Sequence, residues 1–199
     1  MRKPLLLAVL ILVAVTAFWT VGSYNRLVRL DQAVQAQWSQ VENVYQRRAD
    51  LVPNLVATVK GAASFEKDTL TAVTEARARV GQAQQAASAR APGDPAALQQ
   101  YQQAQDQLSS ALSRLLVVVE RYPELKATAN FRELQAQLEG TENRIAVERM
   151  RFNQTAQEFN SVRDSFPMVM VAGLFGHRFD EKAYFKAQPG AATAPQVKF

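Results

Sequence analysis

The chain has no cysteine, which excludes disulfides, thiolate metal sites and thiol catalysis. It has a single histidine, His177, in an apolar segment that also contains glycine, and a lone histidine reads as a surface or packing residue. Without a second histidine there is no H-E-x-x-H pair and no di-iron helix signature. The phosphate-binding strings G-x-x-x-x-G-K-[ST] and G-x-G-x-x-G are also missing, and no serine has a histidine partner in view. Glycine and proline number only eight each in 199 residues, too few for a loop-rich or turn-dense fold. The net charge of +5 is modest and spread along the chain. Nucleic-acid binding would need basic residues clustered with stacking aromatics, so no nucleic-acid partner is expected. On this inventory the chain is not expected to be an enzyme, and no metal or other cofactor is expected.

What the chain does have is a charge-free apolar run at residues 5–21, following Arg2, Lys3 and Pro4. As a helix it is roughly 26 Å long, close to a hydrocarbon core of about 30 Å once its flanks are added. The run exceeds the usual signal-peptide core, and bulky Phe18 and Trp19 follow Val15-Thr16-Ala17, the nearest approach to a cleavage site. Residues 1–22 are therefore expected to be a single-pass transmembrane anchor. Trp19 and Tyr24 then sit at interface depth. Arg2, Lys3 and the amine precede the run, while Arg26 and Arg29 follow it. Counting positive charges places the N-terminus in the cytoplasm and the domain outside.

From Tyr24 onward apolar residues recur every seven. One seam is Tyr24, Asp31, Trp38, Tyr45, Val52 and Val59; its companion is Leu27, Val34, Val41, Arg48, Leu55 and Ala62. The phase survives Pro53, which predicts one continuous, kinked helix. Residues 61–66 read as a turn with Ser64 as N-cap. A second helix, running to about residue 89, turns Leu70, Val73, Ala76, Val80, Ala83 and Ala87 inward. Residues 90–95 form a loop, with Asp94 as N-cap and Pro95 as first helical residue. A third helix carries Leu98, Tyr101, Gln105, Leu108, Leu112, Leu115, Val119 and Tyr122, ending at Pro123. The fourth repeats Phe131, Leu138, Ile145, Phe152, Phe159 and Phe166 at strict sevens, with Leu134, Thr141, Glu148, Thr155 and Val162 on its other seam.

The expected fold is all-α: an N-terminal transmembrane helix followed by an antiparallel up-down four-helix bundle with two long and two shorter helices over residues 23–166. Placing Tyr24 level with Phe166 sets Trp38 against Phe152, Tyr45 against Ile145, Val52 against Leu138 and Val59 against Phe131. The same register puts Arg48 level with Glu142 and near Glu148. Arg47, Arg48, Asp50, Glu142, Asn143, Arg144 and Glu148 form the candidate polar cluster. It is read as a register-fixing ion network, or alternatively as a ligand or ion site. Asn153 and Asn160, seven apart, are expected to bond across to a neighbouring helix or to backbone. Residues 167–187 form an apolar C-terminal segment that either lies in the membrane interface, with Met168 and Phe175 inserted, or folds back to cap the bundle. Residues 188–199 read as a disordered tail.

The chain resembles the LemA family. The residues that carry the likeness are Tyr24-Asn25, Trp38-Ser39-Gln40-Val41-Glu42, RRADLVPNLVATVKG at 47–61, Tyr122-Pro123-Glu124-Leu125-Lys126, TENRIAVER at 141–149, Phe152-Asn153, Phe159-Asn160 and Phe166-Pro167. Phe65, Phe152 and Glu148 depart from the family's usual residues. The resemblance implies a helical bundle on one transmembrane helix in bacterial inner membranes, with no assigned biochemical role. It also implies a cytoplasmic bundle, opposite to the charge count, so the side of the domain is left open. The function expected is that of a non-enzymatic scaffold or adaptor. Its partners are the lipid bilayer and other membrane proteins, or further copies of itself.

Overall fold

The computed structural model describes residues 2–61 and 66–186. The chain is all-α, with no strand among the described residues: α1 (Arg2–Lys60), α2 (Lys67–Arg90), α3 (Pro95–Val119), α4 (Pro123–Lys126), α5 (Ala129–Asp164) and α6 (Met168–Leu174), then a 3-10 turn, Gly176–Phe179.

A single helix of 59 residues carries the apolar run directly into the folded core. Its first part is exposed all round; from Leu27 onward Val34, Trp38, Val41, Tyr45, Val52, Leu55 and Val59 are buried at the seam spacing. Pro53 does not start a new helix. It lacks the N–H that would bond the Ala49 carbonyl one turn earlier. Arg77 of α2 fills that gap, its Nε donating to the Ala49 oxygen at 2.9 Å. The proline thus frees an acceptor that ties α1 to α2.

The helix termini follow local capping chemistry. Asp94 accepts from the amides of Ala96 and Ala97, and Pro95 opens α3. Thr128 caps α5 through the Phe131 amide. Ser64, expected to cap α2, lies outside the described residues, as do Ala62 and Phe65. The position preceding α2 is Glu66, whose side chain makes no capping bond. The third helix stops at Val119 rather than at Tyr122. The intervening turn and Pro123 start the short α4, an element the periodicity did not foretell, and its Leu125 enters the core.

Helices α1 and α5 run antiparallel in the expected register: Trp38 meets Phe152 at 5.6 Å between ring centroids and Arg48 meets Glu142 at 2.7 Å. Tyr45 and Ile145 share one buried cluster, while Val52, Val59, Leu138 and Phe131 share another. Helices α2 and α3 form a second antiparallel pair and contribute to both clusters. The register fails at its lower end. Phe166 is 82% exposed, because α5 ends at Asp164 and Ser165 is extended, so the heptad phase no longer governs residue 166. Tyr24 packs instead on Phe175 and Phe179.

Beyond α6 and the 3-10 turn, residues 180–186 run without helix along the packed helices. The expected tail, 188–199, lies outside the described residues.

Candidate functional site

The polar cluster condenses onto one residue. Arg48 is 1% exposed, in mid-seam. Its Nη1 donates to Glu142 Oε1 at 2.7 Å and to Ser109 Oγ at 2.5 Å. Its Nη2 donates to the Gln105 carbonyl at 3.1 Å and also to the Gln105 side-chain oxygen. Both terminal nitrogens are therefore engaged by protein groups, a geometry suited to locking α1, α3 and α5 together. Arg47, Asp50, Asn143 and Arg144 do not join this network; their side chains are exposed. Asp50 accepts from Gln46, its own helix neighbour. Glu148 is half-buried but faces Gln37, which donates to it at 2.6 Å, and Arg151 at 2.8 Å. The grouping of seven is therefore corrected to Arg48 and Glu142 with Gln105 and Ser109 of α3. A helical period on one element cannot show which exposed neighbours a third helix will recruit.

Tyr45 and Tyr101 flank this layer, with rings 5.4 Å apart and perpendicular. Burial pushes both phenols above their ordinary value of 10. Nearby cations pull the other way: Arg149 and Arg48 at Tyr45, and Arg48 at Tyr101.

A second constellation holds residues 182–186. Three carboxamides each clasp one residue of that segment through both its N–H and its C=O. Asn160 takes Lys182 (2.8 and 2.9 Å), Asn153 takes Phe185 (2.9 and 3.0 Å) and Gln102 takes Lys186 (3.2 and 2.8 Å). Arg149 adds a bond to the Lys186 carbonyl at 2.9 Å, and the Ala183 amide donates to the Pro92 carbonyl at 3.3 Å. The side chains dock as firmly. Phe185 stacks on Trp38 (6.0 Å, 16°) and meets Phe152 edge-on. Lys182 is buried, its ammonium 2.7 Å from Asp31 and 4.9 Å from the Phe159 ring centre. Asp31 and Arg48, the two polar interruptions of the α1 seam, thus each receive an opposite charge. The asparagines were legible as inward polar residues. Gln102 and the segment they grip were not, because a single extended run has no period to read.

The third region lies where α1 leaves its apolar run. Helix α6 turns Met168, Val171 and Ala172 into the core beside α1 and α5. Met168, expected to enter the interface, is 8% exposed and serves packing instead. The exposed apolar side chains are Phe166, Val169, Met170, Leu174 and Phe175. Phe175 lies 4.6 Å from Tyr24, over which Arg178 also sits, and Trp19 is exposed on the apolar stretch of α1. One face of the segment caps the packed helices while the other faces outward. His177 is exposed beside Asp180, at 3.2 Å. Among the described residues no group of three or more His, Asp or Glu side chains is placed to hold a metal ion.

Known proteins bear on this arrangement. Magnetosome protein MamQ of Magnetospirillum gryphiswaldense is 28% identical over 191 residues, 87% of this chain and 70% of the relative. Magnetosome proteins MamQ 1 and MamQ 2 of Paramagnetospirillum magneticum are each 27% identical over 184 residues, 85% of this chain and 67% of theirs. The LemA family model matches residues 37–199, a stretch that begins just before Trp38 and takes in Arg48, Glu142, Asn153 and Asn160. With the match covering most of the sequence and all but the lowest part of the packed helices, the chain belongs to the LemA family.

Proposed function

We propose that this protein is a non-enzymatic scaffold or adaptor anchored in the bacterial plasma membrane by the apolar stretch of α1. The observation that carries the reading is the continuity of α1. One helix holds a stretch long and apolar enough to cross a bilayer and, without a break, the central seam of the core. Such a joint transmits position rather than performing chemistry. The inward polar groups fit the same role, since the Arg48 terminal nitrogens, the Glu142 carboxylate, the Gln105 side-chain oxygen and the Asn153 and Asn160 carboxamides bond to neighbouring protein groups. The curated relatives are named as magnetosome proteins rather than for a reaction.

The exposed apolar side of α6 seats the domain on the leaflet. Phe166, Met170 and Leu174 lie at the end of the domain where α1 enters its apolar stretch, and burying side chains of this size stabilises by about 1.5–3 kcal/mol each. Val117 and Met150 face outward from α3 and α5, where a probe would meet a neighbouring protein. A photo-crosslinking amino acid at either position, in cells, is expected to trap discrete partners. A chain that traps nothing at any exposed apolar site, and is strictly monomeric in detergent, contradicts the scaffold reading.

A further inference from the structure

Residues 179–186 sit on the packed helices as a peptide sits on its receptor. Phe179, Lys182 and Phe185 are buried at every third position, while Glu181 and Tyr184 between them are exposed. The backbone groups of Lys182, Phe185 and Lys186 bond to the side chains of Asn160, Asn153 and Gln102, each carboxamide serving one N–H and one C=O. These clasps read extended backbone, as a sheet edge does. Two subsites add chemistry: Asp31 with the Phe159 ring for a cation, and Trp38 with Phe152 for an aromatic ring. The chain enters this path at Gly176, whose φ of +57° belongs to the left-handed region where glycine is at ease.

We infer that this groove binds the same segment from a second copy of the chain, so that neighbouring copies exchange their C-terminal straps. The segment is a ligand that demonstrably fits: aromatic, two residues, lysine, two residues, aromatic, in extended form. Exchange between identical copies preserves every clasp and both subsites; what it gives up is the 3-10 turn Gly176–Phe179 and the exposed His177–Asp180 contact, which open as residues 175–178 extend. The balance is set by effective concentration, which favours self-closure in dilute solution and exchange among copies crowded on a membrane. With α6 left in place, residues 175–178 span about 13 Å, so exchanging copies stand side by side. The inference deepens the scaffold reading by naming its partner.

The test uses two full-length variants in detergent or nanodiscs. Lys182→Ala/Phe185→Ala spoils the strap and keeps the groove; Asp31→Ala/Asn153→Ala/Asn160→Ala spoils the groove and keeps the strap. Each is checked for helical circular dichroism, with the single changes Lys182→Ala and Asn160→Ala as milder substitutes. The differently tagged complementary pair is expected to co-purify at least about tenfold above either variant with itself, because only that pair joins a sound strap to a sound groove. A synthetic peptide of residues 178–186 is expected to bind the strap-deficient chain saturably and to displace its partner. Co-purification no better than self-pairs overturns exchange. Peptide binding without co-purification overturns the second copy as the source of the ligand, and co-purification that the peptide cannot compete overturns the groove as the interface. If exchange fails while crosslinking in cells still captures other proteins, the scaffold reading stands without it.

Discussion

Arg48 shows what a single residue must satisfy inside an apolar seam. Removing a guanidinium from water costs several kcal/mol, so its position is tenable only with compensation at its charged head. Glu142 supplies the countercharge and α3 supplies further acceptors for the two terminal nitrogens, while Nε is left without a partner. Because the Glu142 side chain is 40% exposed, solvent screens part of the pair, and Glu142→Ala should cost about 2 kcal/mol in chemical unfolding, between the value of an exposed pair and the roughly 3–5 kcal/mol of a fully buried one. Adding Arg48→Met should recover most of that loss, since no uncompensated charge is left behind. Additive losses in the double variant would refute the coupling. Tyr45 makes a complementary case. Its Oη is buried with no hydrogen-bond partner in the protein, so Tyr45→Phe should leave stability unchanged or slightly raised. The raised phenols also fix a pH response. Folding keeps Tyr45 and Tyr101 protonated where the unfolded chain ionises, so their contribution is intact below pH 10 and erodes as pH rises above it. In an alkaline titration the phenolate absorbance of these two residues should appear only as helicity is lost, and Phe substitutions should remove that late component.

At the scale of elements, Pro53 and Arg77 form one device. If the proline's missing N–H is what frees the Ala49 carbonyl, Arg77→Met should cost about 1–2 kcal/mol in the natural background. It should cost close to nothing beside Pro53→Ala, where the new N–H can take that carbonyl. Equal costs in both backgrounds would show the two residues to be independent. The helices themselves were legible from their periods. The α1 and α5 seams and the Trp38–Phe152 level follow from seven-residue spacing and hydrophobic burial, and the Asp94 cap follows from the Asp94-Pro95 pair. What escaped was set by non-periodic contacts. Phe166 continues the α5 repeat in sequence but lies past the helix end, and the same chain exit leads Met168 inward. The clasp by Gln102, Asn153 and Asn160 joins side chains on two helices to backbone some 20 to 80 positions away, which no local pattern encodes. Of the candidate cluster, only the Arg48–Glu142 pair could be read, because α3 contributes the remaining partners.

For the whole molecule the question is how the domain meets the bilayer. The outward side of α6 and the end of the α1 apolar stretch lie together, and on this account both touch lipid. An environment-sensitive fluorophore on Met170→Cys in vesicles should be blue-shifted and quenched by lipid-borne quenchers, while one on Gln135→Cys, toward the far end of α5, should be neither. A solvent-like signal at residue 170 would confine α6 to capping. The absence of native cysteine makes the topology equally direct to measure. Single cysteines at Leu12, within the apolar stretch, and at Gly93, in the α2–α3 loop, are probed with a membrane-impermeant maleimide in intact spheroplasts and in inverted vesicles. Gly93→Cys is expected to react from one side only, and Leu12→Cys from neither. Reaction at residue 12 from the aqueous phase, with release of the protein by alkaline carbonate, would contradict the transmembrane anchor.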